Sequence, residues 1–410
     1  MSIRPHTRLE YSYNSQTLQT LDKMHILVLS RSTLSHGFGG FERQCEDLCE
    51  GFVKAGHRVT VLTTSRHDGV KEEEKSGFTI RFLSPSTPMK LSRGWFSESL
   101  SVVRELHAEH PIDVIHSNEF AAKGVMGWAR RNGIPMAVVC HGSLRTELLS
   151  FLSAADMRPR YWHWLLLTPM HLIRRCLLWE MPMRKASRSI ILVSPTLSRD
   201  FSVYSKGKVK VIENGITLPE APKGRVAGDT LRLLCTGRAD KQKGFQAAIR
   251  AVSMMRDIPV HLDIVGTGPY FDDLKAISSD LNVDDRVTFH GRVDDDELSR
   301  IYSSADVYLI PTTRYEGLPL ALLEAMSHGI PTISSDIGGN SDVITHGTDG
   351  LFIKPGSLPE LIEAIRRLEN SPEERRAISE AARATAERRF DKERMISETL
   401  GLLESLAGRD

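Results

Sequence analysis

The residues able to do chemistry gather just after short runs of β-branched and aliphatic residues. Gly37-Phe-Gly-Gly-Phe-Glu42 follows the first run, and His141-Gly142 closes the fifth. In the second half, Arg238 and Lys243-Gly244 flank one loop, and Gly266 and His290 end the next two runs. Glu316 to Glu324 and Gly338-Gly339 follow the last two. Two cations on either side of a short loop can converge on one pyrophosphate, Arg238 as a planar fork and Lys243 as a point charge. Glycines at 37, 39 and 40 let a ligand approach the backbone, and the helix start behind them offers free N–H groups to an anion.

Between Glu316 and Glu324, Gly317 and Pro319 predict a helix starting near Leu318, with the proline in its first turn. Glu316 then lies ahead of the helix and Glu324 two turns inside. In an unbroken helix the two would stand roughly 12 Å apart, whereas a hydrolytic carboxylate pair needs about 5–9.5 Å. The spacing is therefore a poor match to a hydrolytic pair. A dinucleotide fingerprint is the obvious rival, but its third glycine position holds Glu42 and the second run ends in Thr63-Thr64 without an acid. Asp294-Asp-Asp296 reads as a helix cap and not as a metal site. Glu42 is open between a ligand contact and a cap of its own helix.

These clusters need a scaffold that holds them at strand ends. The runs Met24–Ser30, His57–Thr64, Phe78–Leu83, Asp113–Asn118, Pro135–Gly142 and Ser189–Pro195 predict strands buried on both faces. Helices such as Phe41–Ala55 and Phe120–Asn132 alternate with them. The interval Asn214–Thr230 is rich in glycine and proline and reads as a connection. A second series follows: Leu231–Gly237, Val260–Gly266, Val287–Gly291, Ala305–Pro311 and Pro331–Asp336. The expected organisation is α/β, two Rossmann-like doubly wound parallel-sheet domains facing across a cleft. Residues 1–23 form a polar extension, 24–213 the first domain, 214–230 the linker, 231–389 the second domain, and 390–410 a helix packing back towards the first.

Apolar residues make up 40% of the 410 and charged residues 26%, a balance that builds cores of this kind. A net charge of +1 gives no overall pull towards nucleic acid. Cys45, Cys49, Cys140, Cys176 and Cys235 lack the partners of a zinc set and read as core residues in a reducing compartment. No signal peptide or spanning run is apparent, so a cytoplasmic location is expected.

In the order and spacing of these motifs, from about Met24 to Asp391, the chain resembles the GT-B retaining glycosyltransferases of glycosyltransferase family four. The Gly39 to Glu42 start, the Arg238…Lys243-Gly244 pair and the Glu316…Glu324 segment carry the likeness. The tract Gly291–Gly350 reads like that family almost position by position. The resemblance implies an acceptor domain followed by a nucleotide-sugar domain. It places the donor phosphates on Gly39, Gly40, Arg238, Lys243 and the N–H groups of Gly317, Leu318, Pro319 and Leu320. Gly266, His290 and Val293 would lie at the nucleoside, Glu316 at the donor sugar and Glu324 at the ribose. His141 joins Glu316, Arg238 and Lys243 as catalytic, and with Glu42 it would face the acceptor. The activity implied is hexosyl transfer from a UDP- or GDP-sugar to a glycan or lipid-linked acceptor, with neither metal nor cofactor, in cell-surface polysaccharide or glycolipid synthesis. An epimerase, a phosphorylase and a silent sugar-nucleotide-binding subunit are the rivals; no pyridoxal lysine is apparent for the second. Arg158 to Arg188, with seven basic residues and one acid among tryptophans and leucines, is either a membrane-surface helix or a core helix.

Overall fold

The computed structural model describes residues 23–37, 39–154, 170, 173–174, 176–201, 207–220 and 229–409. The expected N-terminal extension, but for residue 23, and residues 158–169, 171–172 and 175 of the basic stretch lie outside them. One sheet contains β1 (His25–Leu29), β2 (Arg58–Thr64), β3 (Glu72–Lys75), β4 (Phe78–Leu83), β5 (Val114–Asn118), β6 (Met136–Cys140), β7 (Ser189–Leu192) and β8 (Val209–Val211). Its order is β3-β4-β2-β1-β5-β6-β7-β8, parallel apart from the β3–β4 pair. The second contains β9 (Leu231–Thr236), β10 (Val260–Val265), β11 (Val287–Gly291), β12 (Val307–Ile310), β13 (Thr332–Ser335) and β14 (Leu351–Ile353). It is parallel throughout, in the order β11-β10-β9-β12-β13-β14. Every residue of β1 and β5 is buried, as strands covered on both faces must be, and that is why they read as unbroken apolar runs.

Strand order reverses between β1 and β5 and again between β9 and β12. Crevices outside the carboxyl ends at such switch points are where open α/β sheets bind ligands. The sequence pattern misses three strands. The charged run Glu72–Lys75 becomes β3 because Ser76 and Gly77, both at positive φ (49° and 86°), fold it back onto β4. β8 and β14 are three residues each, too short for periodicity to register. The helix expected over Phe120–Asn132 divides into a 3₁₀ turn, Ala121–Gly124, and a helix, Met126–Arg131.

Five helices bear on the cleft: α1 (Gly40–Lys54), α2 (Leu144–Ala154), α3 (Leu320–Ser327), α4 (Pro372–Arg389) and α5 (Lys392–Leu406). One apolar cluster runs from β1, β2 and α1 through Leu318, Leu320 and Leu323 to Phe390, Met395 and Leu403. The two halves therefore share a core along one seam. Helix α5 lies on α1, with Ile396 directly over Gly51, and its ends are tied by Lys392 to Asp47 (3.4 Å) and Arg409 to Asp113 (2.8 Å). The chain crosses itself at Ile216, whose N–H donates to Phe390 O (2.8 Å) while Lys392 N–H donates to Ile216 O (3.0 Å).

In the basic stretch, Arg184 does not join an exposed face. It pairs with Glu180 and stacks over Phe201 at 3.7 Å. Cys45, Cys49, Cys140 and Cys235 are free thiols, three of them buried. No described helix is long and apolar enough to cross a membrane.

At the chain crossing a Cβ on Gly215 would come within 2.5 Å of Lys392 Cα and 2.8 Å of Asp391 O, both backbone atoms that cannot swing aside. Gly215→Ala is expected to destabilise the protein by about 1–3 kcal/mol, the usual cost of overpacking. A thermal melt matching the parent's would show that the crossing is loose.

Candidate active site

The loop after β9 and the loop after β12 are zipped together. Gly244, at φ 80°, puts its backbone against the carbonyl of Pro311, where any side chain would collide. Gln242 O accepts from Thr313 N (2.9 Å) and from Thr312 Oγ1 (3.0 Å). This zipper carries Lys243 to Glu316: Nζ donates to both carboxylate oxygens, at 2.8 and 2.9 Å. Both side chains are mostly buried, 20% and 17% exposed. Arg238 behaves differently from the sequence expectation of two converging cations. It stands on the rim, 68% exposed, with Asp240 at 3.3 Å.

Around Glu316 three stretches of backbone meet without side chains between them. A Cβ on Gly317 would overlap His141 O, and one on Gly339 would overlap Gly317 O. Gly339 N–H donates to Glu316 O at 2.9 Å. Helix α3 begins at Leu320 and not near Leu318, because Pro319 is extended (φ −74°, ψ 119°) and occupies the cap position. Two corrections follow. Pro319 offers no N–H to an anion, and Glu324 lies about one turn inside the helix, not two. Leu318 and Leu320 point into the shared core, so only their backbones can serve a ligand. Leu318 O accepts from Asn214 Nδ2 (2.9 Å), and Asn214 Oδ1 accepts from Gln44 Nε2 of α1 (2.6 Å).

Glu324 is oriented from below. Tyr302 donates to its Oε2 at 3.0 Å, and Thr236 Oγ1 joins the Tyr302 and Tyr308 hydroxyls at 2.9 and 2.8 Å. Burial pushes the Glu324 carboxyl up, opposed by the Tyr302 bond and the charge of Arg43. Sequence reasoning missed these hydroxyls. The available signal was Tyr308 inside the otherwise aliphatic run Ala305–Pro311.

His141 meets the ring of Phe41 edge-on at 5.0 Å, and burial followed by the charge of Arg31 lowers it to about 4. Glu42 is buried and accepts from Ser32 Oγ at 2.5 Å, bent back over Gly39 at the start of its own helix. Gly40 lies under Leu320, whose Cδ1 would be 3.2 Å from a Cβ there. Gly266, at φ 120°, packs on the carbonyl of Gly237, and its N–H donates to Gly291 O at 2.6 Å. His290 turns inward to Asp263 (2.7 Å), a carboxylate shared with Arg232 at 2.8 Å. Val293 packs against the shared core. The structure thus gathers Lys243, Glu316, Gly317 and His141 into one spot and leaves Arg238 at its edge.

Two α/β sheets whose strand ends meet at such a spot form the GT-B architecture. The chain belongs to the group 1 glycosyltransferases: residues 219–385 match the glycosyl transferases group 1 family, and residues 38–219 match glycosyltransferase family 4. An uncharacterised glycosyltransferase of Methanocaldococcus jannaschii is 28% identical over 343 residues, covering 77% of this chain and 82% of that protein. The sulfoquinovosyl transferase SQD2 of Arabidopsis thaliana is 26% identical, over 85% of this chain and 67% of its own length. Sucrose-phosphate synthase from Thermosynechococcus elongatus superposes with a TM-score of 0.79 at 21% identity, over 95% of this chain and all of that one.

His116 on β5 is 1% exposed, and neither ring nitrogen finds a partner among the described residues. Burial, then the charge of His141, holds it near 4 against an ordinary 6.5. The unfolded chain takes up the proton first, so stability present above pH 6.5 is lost as the pH falls towards 4. Melting temperature should decline across that window, and His116→Gln should flatten the decline. Identical slopes in parent and variant would refute the assignment.

Proposed function

We propose that the chain is a retaining, metal-independent hexosyltransferase that uses a UDP- or GDP-sugar and a hydroxyl of a glycan or lipid-linked acceptor, in cell-surface polysaccharide or glycolipid synthesis. The observation that supports this is the Lys243–Glu316 pair, clamped by backbone beside His141. A cation and a carboxylate side by side suit a diphosphate joined to a polyhydroxylated ring. On binding, the diphosphate takes Lys243 and the free N–H groups at the start of α3, with Arg238 swinging in from Asp240. Glu316, released, accepts from sugar hydroxyls, and Glu324 from the ribose. His141, neutral at physiological pH, borders the transferred sugar.

The acceptor oxygen attacks the anomeric carbon on the face the diphosphate leaves. As the new carbon–oxygen bond forms, the bond to the phosphate oxygen breaks, and the acceptor proton passes to that departing oxygen. Lys243, Arg238 and the helix start meet the charge that develops there, which is the work a metal would otherwise do. Time-resolved proton NMR on UDP- and GDP-hexoses, with water as surrogate acceptor, tests this. The anomeric configuration should be kept and the rate should be unaffected by chelator. Lys243→Ala and Glu316→Gln should each lower kcat by about 10²–10³-fold. An inverted product would end the retaining assignment. Activity lost to chelator and restored by manganese would end the metal-free one.

The same reading includes peripheral contact with an anionic membrane. Met170, Ile173, Leu177 and Leu178 are 66%, 55%, 57% and 51% exposed. Arg174, Lys185 and Arg188 stand exposed in the same segment. Apolar side chains with basic residues among them suit an interfacial surface. Phosphatidylserine vesicles should carry the protein down on sedimentation, less so after Arg174→Gln and Lys185→Gln. An intact protein that stays in the supernatant would remove this part of the proposal.

A further inference from the structure

Several cations that border the cleft already have carboxylates. Lys243 is held by Glu316, Arg238 by Asp240 and Arg43 by Asp295. Arg31 is different. It is exposed just beyond the end of β1, in the first domain, and no carboxylate pairs with it among the described residues. The carboxylate of the neighbouring segment, Glu42, is turned inward to Ser32 and leaves the arginine uncompensated.

Nor is the side chain loose. Its guanidinium lies 4.9 Å over the ring of Phe41, and the edge of that ring meets His141 at 5.0 Å. Stacking on an aromatic face holds an arginine in one plane while leaving its N–H fork free. The result is an oriented, unneutralised cation one aromatic ring away from the histidine that borders the reaction centre. Such a fork matches the paired oxygens of a phosphate or a carboxylate. The donor's diphosphate has its own cations, Lys243 and Arg238, on the other domain.

We propose that Arg31 binds an oxyanion carried by the acceptor, so that the acceptor is a phosphorylated or acidic glycan or lipid and not a neutral sugar. This rests on the glycosyl-transfer reading above. It assigns to the first domain a selectivity that neither the Phe41–His141 pair nor Glu42 can supply, since none of these is a cation.

The test is calorimetry on the full chain with the donor site first filled by UDP or GDP, whichever binds. Methyl phosphate and methyl glucuronide are then titrated separately into the parent, Arg31→Gln and Arg31→Lys. The parent should bind at least one of them saturably. Arg31→Gln should bind it at least tenfold more weakly, Arg31→Lys should lie between, and nucleotide affinity should stay within twofold throughout. Preference for methyl phosphate marks a phosphorylated acceptor, and preference for methyl glucuronide an acidic sugar. Equal anion binding by parent and Arg31→Gln, or none by the parent, overturns the proposal. So does a loss of nucleotide affinity in Arg31→Gln, which would place the arginine on the donor. A parent that binds neither UDP nor GDP fails at the first step, and it is then the glycosyl-transfer reading itself that falls.

Discussion

The cleft depends on a stack of bare backbone: His141, Gly317 and Gly339 lie so close that no β-carbon fits at either glycine. That closeness fixes the separation of the two halves at the point where they must cooperate. It sets the carbonyl of His141, from the first sheet, against the loop that carries Glu316 from the second. The hydrogen bond from Gly339 to Glu316 O then locks the loop from behind. With side chains excluded, the alignment of these strands is set by the sheets themselves, which are rigid. Glu316 therefore inherits the precision of β12 although it sits in a loop.

Charge is managed by the same economy of space. Taking Lys243 and Glu316 largely out of water is costly, and each offsets the other only because the β9 and β12 loops are zipped at Gln242 and Gly244. Glu324 has no cation at hydrogen-bond distance among the described residues; a tyrosine hydroxyl and the more distant Arg43 counter the burial that raises it. These are two solutions to one problem. The first is a mutually satisfied pair, and the second is a single acceptor aimed by a hydroxyl. In the proposed reading, a ligand that brings phosphate charge and hydroxyl donors would offer each member of the first pair a new partner.

Much of this was legible in the residues, for a physical reason. Strands buried on both faces must be apolar along their length, so β1, β2, β5, β6, β9, β10 and β12 declared themselves, and their ends marked the crevice. What stayed hidden depends on contacts rather than on local pattern. The charged strand β3 forms because a turn folds it onto β4. The start of α3 was misplaced because Pro319 fits a first helical turn and a cap equally well by composition. The Thr236–Tyr302–Tyr308 hydroxyl network joins residues far apart in the chain. Arg31 carried no motif at all. Only the inward turn of Glu42 and the ring of Phe41 make it a distinct cation.

Two kinds of contact join the halves, and they differ in strength. Along the seam, Leu318, Leu320, Phe390 and Met395 are continuous with the core of the first domain, and α5 returns to lie on α1. Across the open side the ties are polar. Thr196 donates twice to Asp342 at 2.8 Å, Arg43 meets Asp295 at 2.7 Å, and Ser150 of α2 accepts from Tyr315 N at 2.9 Å. Each such bond is worth about 1 kcal/mol net, because water replaces it when it breaks, whereas each large apolar side chain uncovered costs about 1.5–3 kcal/mol. The seam is therefore the stronger of the two joints. Gly317 lies beside Leu318 and within reach of Val193, both in that shared core, so its contact with His141 belongs to the apolar joint and not to the polar side. The backbone contact that sets the geometry of the site is therefore held by the same apolar packing that joins the halves.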